Sequence, residues 1–472
     1  MTNSPLTPSA ALRVYDDILQ TIGKTPLVHL NRLGANLPCP LYAKVEFFNP
    51  GGSVKDRIAV NIIEEAERSG RLKPGGTVVE ATSGNTGLGL AMVCARKGYK
   101  AILVLPDKMS QEKVRQLRAF GARVVITPTE VPPDDPRSNI SIAKRLSQET
   151  PNAILANQYH NPENPRSHYL TTGPEIWQQT AGKVTDVVMG MGTGGTLSGI
   201  GRYLKEQNPK IRIIGVDPVG SLLQDAWRQG HLPDDVQPKP YKIEGIGEDF
   251  LPSALDMSMI DDVIQVSDKE SFLWARRLVK DEGIFCGGSS GSALAAAMRY
   301  AANLPPDRLV VVLLPDSGSR YLSKFYDDKW MRENGFLDAD WCEASLKEIL
   351  SVKSVQGLIT AHDSDRLSDV IAAMKSHDIS QMPVVHADET LAGLVTEIDL
   401  LKYLVEDNHI QHPDETIAGI MRPAEYVYPS DVSVESVLPV IMDNQVVLVA
   451  ENNHPVGILT KVDILDFITH GL

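Results

Sequence analysis

The 472-residue chain has no apolar run long enough to cross a membrane as a helix, so membrane-spanning helices are not expected. Basic residues are in deficit. Forty-six Lys and Arg against 60 Asp and Glu leave a formal charge of -14. Nucleic acid and anionic membranes both need a basic footprint, so neither is an expected partner. Small anions are a separate matter, because loops and helix ends bind them locally. Cysteine is scarce and scattered: Cys39, Cys94, Cys286 and Cys342 contain no C-x-x-C pair. That argues against a disulfide framework or a thiolate zinc site. The histidines show no metal spacing either, and no metal is expected; His160 and His168, flanking a Pro-rich turn, read as polar loop residues. The first dozen residues lack the charged start and apolar core of a signal peptide, and a reducing cytoplasm is the expected setting.

What is present is an ordinary globular composition, 42% hydrophobic and 22% charged. The length implies roughly two to four domains. From about residue 40 to 320 apolar strands alternate with helical patterns. Thr77–Glu80, Ala101–Leu105, Val124–Ile126, Asp186–Met191, Ile211–Val216 and Leu309–Leu314 read as strands. Leu88–Lys97 and Glu112–Phe120 read as helices, and 132–136 as a Pro-rich surface loop. Near-continuous apolar strands in a βαβ rhythm predict an α/β fold with parallel sheets covered on both faces. Past Ser317 the texture changes, and 321–345 reads as a helical connector packed on the first unit. A repeat follows: Leu391–Leu401 matches Pro455–Leu465, with Gly, Thr and Asp in register. Two copies predict a tandem of small β-α units that bury their sheets together. The expected domains are 1–325, a linker over 326–345, and 346–472 divided into 346–408 and 409–472.

Three glycine-bearing turns carry the chemistry. Lys55 lies in Gly51-Gly52-Ser53-Val54-Lys55-Asp56-Arg57, between an apolar run and a helical pattern. Alone it reads as a surface lysine neutralised by Asp56; beside two anion-binding loops it becomes an amine for an aldehyde cofactor. Gly192-Thr193-Gly194-Gly195-Thr196 ends a strand and opens a helix, which suits a phosphate. Thr82-Ser83-Gly84-Asn85-Thr86-Gly87 does the same after Ala81. It suits a carboxylate, or simply a capped helix, and Asn85 can bond a phenolic oxygen. Cys286–Ser292 precedes an Ala-rich helix and either caps it or aims a hydroxyl at a heterocycle nitrogen.

These segments, with Thr21–Leu27, Gln158-Tyr159, Glu244-Gly245-Ile246-Gly247 and Leu314–Ser317, make the chain from Asp17 to Leu337 resemble the cystathionine β-synthase family. That family lies within the tryptophan-synthase-β-like, fold type II pyridoxal-phosphate enzymes. The repeat resembles tandem CBS domains. The resemblance implies two parallel-sheet subdomains and a homodimer or higher oligomer. It implies pyridoxal phosphate bound to Lys55 as a Schiff base, its phosphate on Gly192, Thr193, Gly194, Gly195 and Thr196, its phenolic oxygen on Asn85 and its ring nitrogen facing Ser289. Thr82, Ser83, Thr86 and Gln158 would bind the substrate carboxylate, and Tyr159 would line the pocket. The implied reaction replaces the serine hydroxyl by homocysteine, giving cystathionine and water. Hydrogen sulfide release from cysteine is an expected side reaction. The rivals are a cysteine synthase using O-acetylserine and sulfide, and a nucleotide-sensing scaffold with a dead catalytic module. The resemblance also has departures. The residues before Lys24 contain no Cys or His, so no haem is expected; Leu204–Ile211 lacks the C-x-x-C pair of animal members; Glu248 stands where a tyrosine is common. In the repeat, Thr396 with Asp399, and Thr460 with Asp463, either contact an adenine nucleotide or S-adenosylmethionine or merely cap helices.

Overall fold

The computed structural model describes residues 14–470 apart from 83, 108, 110, 129–130, 132–134, 234–235, 338–343, 354–356, 407–414 and 444. It divides into two compact units, Met1–Leu337 and Asp338–Leu472. In the first unit the early strands are β1 (Leu27–His29), β2 (Leu41–Val45), β3 (Thr77–Ala81), β4 (Lys100–Pro106) and β5 (Arg123–Thr127). The later ones are β6 (Ala153–Leu155), β7 (Asp186–Gly190), β8 (Arg212–Pro218), β9 (Asp262–Val266) and β10 (Val310–Leu314). The smaller sheet, ordered β5-β4-β3-β6, is parallel throughout. The larger runs β1-β2-β10-β7-β8-β9, and only the edge strand β1 is antiparallel. Both sheets are of the buried, helix-covered kind that the apolar strands predict; every residue of β10 is buried.

The helix Lys55–Arg68 packs on the smaller sheet through Ile58, Ile62 and Ile63. Its first turn is fixed from far along the chain. The Val54 N–H donates to the Pro315 carbonyl just beyond β10 (2.8 Å), and Ser53 bridges to Asp316. The turn before it is closed by Asp56, whose carboxylate accepts the Gly51 N–H at 2.5 Å. A cluster of buried charges completes the clamp. Arg57 donates through Nε to Glu46 (2.7 Å) and through Nη1 to Glu175 (2.7 Å). Lys44 of β2 donates to Glu175 (2.7 Å), Gln179 (3.0 Å) and the Thr25 carbonyl (2.8 Å), so all three ammonium donors are used. Two cations face two carboxylates, and the cluster is neutral.

In the second unit each repeat forms a three-stranded sheet with the same connectivity. Ala361–His362, Gln381–Val385 and Leu391–Thr396 make the first; Val427–Tyr428, Val447–Glu451 and His454–Leu459 make the second. In both the short strand is parallel and the hairpin antiparallel, and the hairpin register shifts once. Helices Glu397–Glu406 and Lys461–His470 follow the hairpins. No described helix is long and apolar enough to cross a membrane.

Burial opposes the charge of Glu175, but its bonds to Arg57 and Lys44 outweigh that and hold the carboxyl at about 2. A folded value below the unfolded one gives stability that is full above about 4.5 and fades as pH falls toward about 2. Glu175→Gln leaves buried Lys44 without its carboxylate and Arg57 with Glu46 alone, and is expected to cost about 3–5 kcal/mol at neutral pH. Urea unfolding across pH checks both points: the variant should lose the acid-dependent part of its stability between those limits.

Candidate active site

The three glycine turns meet in one cavity of about 860 Å³ at the ends of the parallel strands, where open α/β sheets place their sites. Lys55 is its floor. The lysine is the first residue of its helix, with its N–H on Ser53 Oγ (3.2 Å). Burial lowers its amine from the ordinary lysine value, against the pull of Asp316 and Glu248. A partly neutral amine is the form that attacks an aldehyde or takes a proton.

Opposite stands the helix Gly195–Gln207. Gly194 precedes it with φ 81°, and no side chain caps it. A Cβ on Gly194 would lie 2.5 Å from Leu255 Cα, and one on Gly192 would lie 2.6 Å from the Gly245 carbonyl. A Cβ on Gly195 would overlap the Asn164 amide. Only glycine fits between these neighbours, and the loop stands beside the positive end of a helix. Asn164 ties this loop to its neighbour: its Nδ2 donates to Thr193 Oγ1 (3.0 Å) and to the Gln158 carbonyl (2.7 Å). Thr196 rests on His168, with Oγ1 and Nε2 3.2 Å apart.

His168 corrects the sequence reading. It is no loop residue but fully buried in the helix Glu163–Leu170, with Nδ1 2.9 Å from Thr172 Oγ1. Burial, then the nearby Lys55 and Arg57, pushes its imidazole well below the usual histidine value, so it stays neutral. His160 is exposed and bonds Ser253, as a loop residue does.

On the third side the helix Asn85–Lys97 begins. Thr82 and Thr86 line the cavity; Ser83 lies outside the described residues. The Thr86 hydroxyl donates to Gln158 Oε1 (2.6 Å). Gln158 is itself held by buried Glu80, which accepts its N–H (3.2 Å) and that of Asn157 (2.6 Å). Asn85 Nδ2 donates to Asp316 Oδ2 (2.9 Å), which also accepts the Tyr321 hydroxyl (2.7 Å). The other Asp316 oxygen is buried without a partner among the described residues. Asp316 was quoted in the sequence only as part of a matching segment; its grip on Asn85 spans more than two hundred residues and has no local signal. Ser289, in the first turn of the buried helix Gly288–Ala301, lines the cavity, whereas Ser290 is fully buried beside Cys286. Tyr159 lines it too, its ring edge-on to Phe250 at 5.1 Å.

In the second unit both Thr-x-x-Asp pairs close on themselves. Asp399 Oδ2 accepts the Thr396 N–H (3.0 Å) and hydroxyl (2.6 Å); Asp463 Oδ2 accepts those of Thr460 (2.7 and 2.8 Å). Each carboxylate also meets a cation from the entry of the other repeat, Arg422 at 3.4 Å and Lys353 at 3.0 Å. Among the described residues no group of three or more His, Cys, Asp or Glu could hold a metal.

Residues 18–316 match the family model of pyridoxal-phosphate dependent enzymes, and 347–406 and 417–470 match that of the CBS domain. The chain is 40% identical to the cystathionine β-synthase of Dictyostelium discoideum, over 96% of this chain and 92% of that one. It is 44% identical to a cysteine synthase of Staphylococcus aureus, over 66% of this chain and 97% of that one. A solved hydrogen sulfide-producing enzyme of Fusobacterium nucleatum superposes with a TM-score of 0.60 at 36% identity, covering 66% of this chain and all of that one. The residues fit pyridoxal phosphate: a glycine cradle no Cβ could enter, a desolvated lysine amine and an amide steered by Asp316 share one cavity.

Asp316→Ala frees the Asn85 amide to turn away. The expected loss is about tenfold in pyridoxal phosphate affinity, the worth of one hydrogen bond of roughly 1.4 kcal/mol. Fluorescence titration of the apoprotein measures it, and unchanged affinity would mean that Asn85 needs no steering.

Proposed function

The chain belongs to the cystathionine β-synthase family of pyridoxal-phosphate-dependent enzymes, and we propose that it condenses serine with homocysteine to give cystathionine and water. The observation that carries this reading is that Lys55, Asn85 and Thr193 of the 192–196 loop line one cavity. When bound, pyridoxal phosphate supplies an electron sink for the serine α-carbon. The rest falls to the chain. Thr82, Ser83, Thr86 and Gln158 hold the serine carboxylate, with Gln158 preset by Glu80. Gly192, Thr193, Gly194, Gly195 and Thr196 bind the phosphate through backbone N–H groups and hydroxyls. Asn85 bonds the phenolic oxygen, and Ser289 meets the ring nitrogen without bringing a charge.

Lys55 is the proton carrier. Its amine, lowered by burial, takes the proton from the serine α-carbon and delivers one to the departing β-hydroxyl, which leaves as water. The homocysteine sulfur then bonds the β-carbon as its S–H proton passes to the lysine, which delivers it to the α-carbon. Tyr159 lines the side from which the second substrate enters. With cysteine in place of serine, the same steps release hydrogen sulfide. No step calls for haem. The buried free thiols of Cys39, Cys94 and Cys286 suit a reducing cytoplasm, and the exposed Tyr15, Ile18 and Phe48 suit a homodimer or higher oligomer.

Lys55→Ala is expected to lower turnover about a hundred- to ten-thousand-fold. Assays with serine or O-acetylserine, each against homocysteine or sulfide, test the reading; a variant with wild-type activity would end it, and turnover with O-acetylserine and sulfide alone would make the protein a cysteine synthase. For the second unit we propose an adenine nucleotide or S-adenosylmethionine at Thr396, Asp399, Thr460 and Asp463. Titration calorimetry with ATP and with S-adenosylmethionine should give a heat that Asp463→Ala weakens at least about tenfold, since a ribose hydroxyl bonded to a carboxylate is worth roughly 1.5–3 kcal/mol.

A further inference from the structure

One ionisable group in the cavity has no task in the reaction as derived. Glu248 is fixed in the wall by its own backbone. Its N–H donates to Ser221 Oγ (3.0 Å), and its carbonyl accepts the Ser221 hydroxyl (3.1 Å) and the Leu222 N–H (3.0 Å). Gly245 and Gly247, with φ 87° and 79°, turn the preceding chain, and the Glu248 side chain lines the cavity. Tyr159 and Lys55 both lie near enough to its carboxyl to influence its charge. Yet no basic side chain forms a salt bridge with it among the described residues. On the same cavity wall Lys113 and Lys324 both bond Glu244. Glu244 is thus ion-paired, and Glu248 is the neighbouring acid left to receive an arriving cation.

We propose that Glu248 receives the α-ammonium group of the thiol that enters second, and so selects an amino-acid thiol over a simple one. The inference rests on reading the cavity as a β-replacement site. Burial, reinforced by Asp249, lifts the Glu248 carboxyl to about 8. An arriving ammonium group offsets that penalty, so the acid ionises as the cation docks. Tyr159, Lys55, Asp217 and Tyr241 also lie near it, and of these only Lys55, already engaged in the reaction, is a cation; Lys239 and Lys242 line the same cavity but form no salt bridge with it among the described residues. Sulfide and simple mercapto acids have no ammonium group to offer and forgo the contact.

The test compares homocysteine with γ-mercaptobutyrate, which is homocysteine without its amino group, at saturating serine on the holoenzyme. Wild-type kcat/KM should favour homocysteine by at least about tenfold, or roughly 1.4 kcal/mol. Glu248→Gln, which keeps the shape and polarity of the side chain, should reduce the preference to about threefold or less, mainly through the KM for homocysteine. A wild-type enzyme indifferent to the amino group overturns the proposal whatever the variant does; so does a variant that loses both thiols alike. The absorbance change on adding serine alone separates the two levels. Its absence in the wild type would remove the β-replacement reading itself, whereas an intact serine response with unselective thiol use would remove only the role of Glu248.

Discussion

The site depends on where one helix begins. Lys55 is useful only if its amine is desolvated and aimed into the cavity, and both follow from the first turn of its helix being immovable. Two residues on, Arg57 spreads its guanidinium between Glu46 and Glu175, the second of which also holds Lys44. Taking such charges out of water is costly, and their mutual attraction offsets that only when the geometry is well satisfied. Here nearly every donor has an acceptor, and the cluster joins β2, the turn before Lys55, its helix and the helix Thr172–Gln179. A neutral cluster has a second merit: it fixes the lysine without adding a net charge that would shift the amine. Burial is left as the dominant influence on Lys55.

The glycine loops were legible because their requirement is local. Gly194 needs positive φ and no Cβ, and both needs are written at that position. Strands β4, β7, β8 and β10 were legible because buried parallel strands are apolar runs. The short β1, β2 and β6 escaped: three to five residues carry too little pattern, and β2 includes a lysine. That lysine exposes the general blind spot. Lys44, Glu46, Arg57 and Glu175 are charged, and charged residues read as solvent-facing unless their partners are known. Their charged partners lie up to 131 residues away.

His168 was misread for a related reason. Pro162 and Pro165 suggested a turn, but a helix tolerates proline in its first turn, where the N–H is unpaired anyway. The helix starts at Glu163, and the histidine three residues after Pro165 is carried under the 192–196 loop, against Thr196. The repeat in the second unit was visible as sequence self-similarity, and its Thr-x-x-Asp pairs do cap their helices. The cations that cross between repeats to meet those carboxylates were not visible, because Lys353 and Arg422 lie outside the repeated motif.

In the proposed reaction, reaction type follows from what Ser289 brings to the ring nitrogen. Ser289 is a neutral hydroxyl in the first turn of a buried helix, whose N-terminus carries partial positive charge. Neither feature stabilises a protonated ring nitrogen, so this wall does not deepen the electron sink. A shallow sink gives a short-lived carbanion, and a short-lived carbanion favours immediate loss of the β-substituent over transamination or racemisation. A single base can serve such a sequence, because the proton it removes from the α-carbon is the proton the leaving hydroxyl needs. Lys55 meets that condition, and the neutral His168 behind the phosphate loop offers no rival acid. Selectivity among nucleophiles must then come from the outer wall, where Glu248 is an acid with no salt bridge among the described residues.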